Sequence, residues 1–90
     1  MLNDLASVLD TVRAWPGVIE RKPGIFYLDR EPFLHFHLVA DDVRRADVKG
    51  LRGWSQVSLP VPLKPTTRRT FVRVLKARYA ERVGAEGGRR

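Results

Sequence analysis

The sequence predicts a two-layer α+β domain, in which an antiparallel meander sheet of three to five strands carries one helix before it and one after it on the same face. Three observations support this prediction. An apolar stripe with helical spacing opens the chain, several short segments rich in β-forming residues follow, and a second helical stripe closes it. Ninety residues suffice for one domain with a single core.

The first helix is predicted over about residues 3–14, because Leu5, Leu9 and Val12 recur at helical intervals. Trp15-Pro16-Gly17 ends it, since a residue before proline avoids the α conformation. The second helix is predicted over residues 66–83, where the apolar positions lie in one line. Residues 1–83 therefore form the predicted domain, and residues 84–90 form a predicted flexible basic tail.

Four segments between the helices have the composition of strands: residues 24–29, 32–40, 44–50 and 53–60, with a further short strand near residues 18–20. Side chains alternate along a strand, so Leu34 and Phe36 face the core while His35 and His37 face the other way. A loop over residues 41–43 would pair His37 with Asp47, whereas a five-residue loop would pair it with Lys49. A two-residue loop is not expected, because it would mismatch the apolar faces.

The sheet face opposite the helices is expected to be polar and aromatic, and three interpretations of it compete. A His-x-His strand next to a carboxylate offers a divalent-metal site at His35, His37 and Asp47. The same groups could perform acid–base chemistry, although no nucleophile, phosphate-loop or dinucleotide motif accompanies them. The favoured interpretation is a self-association surface, because aromatic side chains suit interfaces. Its expected residues are Tyr27, Phe33, His35, His37 and Trp54.

Charge is distributed unevenly along the chain, whose net charge is +7. Residues 1–43 contain four basic and seven acidic side chains, whereas residues 44–90 contain thirteen basic and three acidic ones. This asymmetry indicates a polyanionic partner for the C-terminal half. The candidate nucleic-acid contacts lie on the second helix: Arg68, Arg69, Arg73, Lys76, Arg78 and Arg82. An ordinary solvated helix face is the alternative.

The segment "GIFYLDREPFLHFH" followed by "ADV", between Gly24 and Lys49, resembles a group of small uncharacterised bacterial proteins and implies no activity. More distantly, an initial helix, "WPGV", aromatic strands, "GWSQVSL" and a final helix with a tyrosine resemble MmcQ/YjbR-like proteins. That likeness implies an α+β fold and suggests a DNA-binding role. The paired histidines are not part of the MmcQ/YjbR pattern.

The expected function is therefore a small, non-catalytic, cytoplasmic binding domain that self-associates, most simply as a homodimer. Nucleic-acid binding and a divalent-metal site are the two alternatives. The absence of cysteine excludes disulfides and thiolate metal sites and suits a reducing compartment. No bound cofactor is expected. No membrane association is expected either, because no apolar run approaches the length of a bilayer span.

Overall fold

A computed structural model describes the backbone of residues 2–87 and the side chains of residues 2–84. A 3-10 turn at Asn3–Leu5 leads into helix α1, Ala6–Arg13. The strands follow in the order β1 Val18–Lys22, β2 Ile25–Leu28, β3 Glu31–Ala40, β4 Val43–Gly50 and β5 Gly53–Pro60, and helix α2 is Pro65–Gly87. The predicted fold class is confirmed: consecutive strands pair antiparallel in one five-stranded meander, and both helices pack on it.

The core lies between the helices and one face of the sheet, which we call the inner face. Helix α1 contributes Val8, Leu9 and Val12, and α2 contributes Phe71 and Leu75. The strands supply Phe26, Leu28, Leu34, Ala46, Val48, Val57 and Leu59 by alternation, together with Phe33, and the 3-10 turn supplies Leu5. Because alternate residues of the central strands face the helices, the intervening residues define an outer face without helical cover in the described residues.

Two β-bulges in β3 change the register that alternation alone predicts, and a third irregularity lies between Glu20 and Lys22 of β1. The first lies between β2 and β3, where Phe26 pairs with Leu34 but Tyr27 pairs with Pro32. The second lies at Val39, because Leu38 pairs with Arg44 and Ala40 pairs with Val43. A bulge places one extra residue on one strand and redirects the side chains beyond it.

The bulge at Val39 explains why the predicted loop was wrong. The β3–β4 turn contains only Asp41 and Asp42. A two-residue connection was not expected from the alternation of apolar residues. The extra residue at Val39 corrects the mismatch of faces that such a short turn would otherwise cause. The inner residue Phe36 therefore pairs with Ala46, and Asp47 lies opposite His35 instead of His37.

Helix α2 begins at Pro65, a residue well suited to a first helical turn, and continues to Gly87. The backbone of residues 84–87 is thus helical, while the rest of the predicted tail, residues 88–90, lies outside the described residues. Among the described residues, no helix combines the length and apolar character needed to cross a membrane.

Candidate functional site

The centre of the outer face is formed by the three consecutive strands β3, β4 and β5. In one row across them, His35 pairs with Asp47, and Asp47 pairs with Gln56. Two rows flank this one on the same face. In one of them His37 pairs with Arg45, and in the other Lys49 pairs with Trp54. The sheet register therefore brings both histidines, Asp47 and Trp54 onto one continuous surface, as the alternation of the sequence predicts.

Asp47 is the centre of this group of side chains. Its Oδ2 lies 3.3 Å from His37 Nε2 and 3.8 Å from His35 Nδ1. Only 9% of the Asp47 side chain is exposed, whereas 47% of the His37 side chain is exposed. The three side chains form a cluster whose ligand-type atoms all lie within 4.8 Å of one another. The sequence thus predicted the members of this cluster, although it paired Asp47 with the wrong histidine.

Arg45 fixes the orientation of the Asp47 carboxylate. Its guanidinium donates to Oδ1 from Nε at 2.8 Å and to Oδ2 from Nη2 at 3.2 Å. The shorter bond goes to Oδ1, so Oδ2 is the oxygen that the histidines approach. Arg45 was not among the predicted site residues, although residues two apart on one strand share a face and the Arg-x-Asp spacing is visible in the sequence.

Aromatic contacts hold the two imidazole rings. The His35 ring centre lies 4.6 Å from that of Trp54 and 4.8 Å from that of His37, with the two histidine rings nearly perpendicular. The Lys49 ammonium lies 5.8 Å from the Trp54 ring centre, within the range of a cation–π interaction. These contacts restrict the rotation of His35 and leave Trp54 partly open to solvent, with 43% exposed.

Burial lowers the pKa of His35, and the neighbouring positive charges of His37 and Arg45 act in the same direction, whereas Asp47 opposes them. The ordinary value for histidine is near 6.5, so the His35 ring is mostly neutral at neutral pH. A neutral imidazole has one nitrogen with a free lone pair. Such a ring can accept a hydrogen bond or coordinate a cation.

Four of the five residues predicted for a self-association surface lie on the outer face: Tyr27, His35, His37 and Trp54. The prediction for Phe33 is wrong, because its side chain is 0% exposed. The bulge between β2 and β3 turns it inward, where its ring contacts Trp15 at 6.5 Å and Tyr79 at 6.2 Å between ring centres. Simple alternation cannot detect a bulge, and this one moves a large aromatic residue from surface to core.

The six basic residues predicted on α2 do not form one surface. Arg69, Arg73 and Lys76 are exposed, and a groove of about 740 Å³ runs beside them. Arg68 is also exposed but donates to the Ser7 hydroxyl of α1. Together these four residues form the exposed basic row of α2.

Arg78 and Arg82 point toward the sheet instead. Arg78 donates to the Ser55 hydroxyl and to Glu81. Arg82 donates to the backbone carbonyls of Leu28 at 3.1 Å and Pro32 at 2.6 Å. These two candidate nucleic-acid contacts therefore do not share the exposed surface of the other four, because their long side chains reach back across the end of the sheet.

Comparison of the chain with known protein families found no match, and comparisons with curated proteins and with solved structures found none either. The likeness to MmcQ/YjbR-like proteins and to the small bacterial proteins stays a prediction. The features of the molecule that indicate a function are therefore the outer face and the exposed basic row.

Proposed function

We propose that the protein is a small, non-catalytic binding domain that self-associates by packing the outer faces of two copies against each other. The observation that carries this proposal is an aromatic sheet face without helical cover among the described residues. The helices occupy the inner face, so the outer face is the broad surface available to a second copy.

Apolar side chains on the outer face support the proposal. Ile19 pairs with Tyr27 at one side of the sheet, and Trp54 lies at the other side. Ile19 and Trp54 are among the exposed large apolar residues of the chain. Removing apolar surface from water contributes about 25 cal/mol per Å², and tyrosine and tryptophan are enriched at protein interfaces. Additional burial stabilises a chain of this size relatively more, because small domains bury a smaller fraction of their surface on folding than large ones do.

The charges of the outer face are compatible with burial. Asp47, its most deeply placed ionised group, already accepts two hydrogen bonds from Arg45. Covering an unpaired carboxylate would cost several kcal/mol, but a carboxylate paired in this way keeps its partner inside an interface. Arg21 stacks over Tyr27 at 4.1 Å and Lys49 lies near Trp54, so these two cations have aromatic partners on the face.

Sedimentation velocity over a range of concentrations tests this proposal with two matched variants. Trp54→Glu places a charge in the outer face, whereas Val83→Glu places one at a similarly exposed position on α2. We expect the wild type and Val83→Glu to form dimers with similar dissociation constants and Trp54→Glu to stay monomeric, with all three giving the same circular dichroism spectrum. A wild type that stays monomeric at millimolar concentration would refute the proposal.

We further propose a cytoplasmic location, which the cysteine-free composition supports because it suits a reducing compartment.

A second candidate function is nucleic-acid binding by the exposed basic row of α2. Its support is the exposure of Arg69, Arg73 and Lys76 on successive turns of one helix, together with the positive charge of the C-terminal half. Such a row can follow a phosphate backbone without reading bases, which makes binding strongly dependent on salt.

Fluorescence anisotropy with labelled duplex and single-stranded oligonucleotides at several salt concentrations tests this candidate. Replacing Arg69, Arg73 and Lys76 by glutamine should reduce the slope of log K against log salt by about 2 to 3 for duplex DNA. A triple variant at Lys22, Arg30 and Arg52 removes equal charge away from this row and controls for net charge. Equal losses in the two triple variants would show that the row has no specific role.

A further inference from the structure

The cluster on the outer face also has the composition of a metal site. Two imidazoles and one carboxylate are a ligand set that suits zinc and related divalent transition metals. His35 and Asp47 are direct cross-strand partners, and His37 lies on the same face two residues further along β3. Three donors thus come from two adjacent strands of a sheet, a support that holds them at nearly fixed positions.

The distances between the donor atoms are close to those of a bound ion. A tetrahedral zinc ion with bonds of about 2.0–2.2 Å separates neighbouring ligand atoms by roughly 3.3–3.5 Å. Asp47 Oδ2 lies 3.3 Å from His37 Nε2 and 3.8 Å from His35 Nδ1. No pair of donor atoms in the cluster exceeds 4.8 Å, so small adjustments of the side chains would bring all three donors around one ion.

The surrounding residues orient the ligands in the way that metal sites require. Arg45 makes its shorter hydrogen bond to Asp47 Oδ1, so Oδ2 keeps a lone pair directed toward the histidines. Trp54 packs against the His35 ring and restricts its rotation. Neighbours of this kind commonly determine ligand orientation, and their loss typically weakens metal binding 10- to 100-fold.

We propose that His35, His37 and Asp47 bind one divalent transition-metal ion of the zinc class, with the solvent-exposed side of the cluster leaving a fourth coordination position for water or for a ligand from outside the chain. All three ligands belong to a single chain, so this proposal is independent of self-association. The ion would lie at the centre of the outer face, where a ligand from outside the chain can reach the fourth position.

Isothermal titration calorimetry of the full-length, tag-free protein with Zn²⁺, after treatment with a chelator, tests the site. We expect one ion per chain for the wild type and at least about tenfold weaker binding for His35→Ala and for His37→Ala. Gln56→Ala is the matched control, because Gln56 pairs with Asp47 on the same face and is not a proposed ligand. It should bind Zn²⁺ as the wild type does.

A measurement on the wild type alone avoids any effect of the substitutions on folding. Addition of Zn²⁺ should shift the imidazole ¹⁵N resonances of both His35 and His37 in the NMR spectrum. Unshifted resonances, or a wild type that binds Zn²⁺ no more tightly than the double variant His35→Ala/His37→Ala, would overturn the proposal.

Sedimentation of the metal-free and Zn²⁺-loaded protein separates this proposal from the preceding one. Dimers without zinc binding would refute only the metal site, and zinc binding by a monomer would refute only self-association.

Discussion

Arg82 shows how a single side chain can connect parts of the chain that are distant in sequence. Its guanidinium donates to the carbonyls of Leu28 and Pro32, on either side of the β2–β3 turn, and to that of Lys49 at 3.3 Å in β4. It also lies over the Phe33 ring at 5.8 Å. Only 11% of the side chain is exposed, so few water molecules can replace these bonds.

We therefore expect Arg82→Ala to lower the free energy of unfolding by about 2–4 kcal/mol, because it removes a charged donor from three backbone acceptors. Urea denaturation measures this loss. Arg69→Ala is the control on the exposed side of the same helix and should change stability by less than about 0.5 kcal/mol. Equal effects of the two substitutions would contradict the role assigned to Arg82.

The ion pair between Arg44 and Asp4 links β4 to the start of the chain. Arg44 is 1% exposed on the inner face and donates to both carboxylate oxygens of Asp4, at 2.6 Å and 2.9 Å, as well as to the Leu59 carbonyl. Hydrogen bonding from Arg44 lowers the pKa of Asp4, while partial burial opposes that shift. No sequence pattern indicates this pair, which joins residues forty positions apart.

Asp4→Asn should destabilise the protein at pH 7 by about 1–3 kcal/mol, less than for a fully buried pair because 38% of the Asp4 side chain is exposed. A carboxyl group whose pKa is lowered by folding stabilises the folded state above its unfolded pKa, near 3.9, and this contribution disappears as the pH falls through the lowered folded value. The stability difference between wild type and variant should therefore shrink below about pH 4. Chemical denaturation at pH 7 and pH 3 measures it, and a difference independent of pH would contradict the assignment.

At the scale of elements, the sequence predicted all four main strands to within one or two residues, because β-forming residues and turn residues alternate clearly along the chain. It could not predict the bulges at Phe33 and Val39. A bulge depends on how two strands meet, and that information is distributed over both partners and the core beneath them. The two errors at the site, the position of Phe33 and the partner of Asp47, both follow from these bulges.

The bulge at Phe33 leads to a prediction about stability. Phe33→Ala should lower the free energy of unfolding by about 3–5 kcal/mol, because it leaves a cavity beside Trp15 and Tyr79. Tyr27→Ala, on the outer face of the neighbouring strand, should have a much smaller effect on the isolated monomer. Urea denaturation at low protein concentration compares them, and a small loss for Phe33→Ala would place that residue on the surface after all.

At the scale of the whole molecule, the arrangement of layers was predictable from the sequence, whereas the directions of the basic side chains of α2 were not. Helical periodicity identifies Phe71 and Leu75 as core residues of α2, as the structure confirms. Periodicity assigns Arg78 and Arg82 only to the flanks of that helix. Whether such flanking side chains extend into solvent or fold back over the sheet depends on where the sheet ends, and the sequence of the helix does not contain that information.

The position of α2 after the five strands has a consequence for synthesis on the ribosome. The five strands are made first, but Phe71, Leu75 and Arg82, which cover the inner face and its edge, are added only afterwards. Until they leave the exit tunnel, the nascent sheet exposes the part of its apolar face that α2 covers. The packing of the inner face is therefore expected to be completed only after α2 has been made, and the unpacked sheet is prone to aggregation until then.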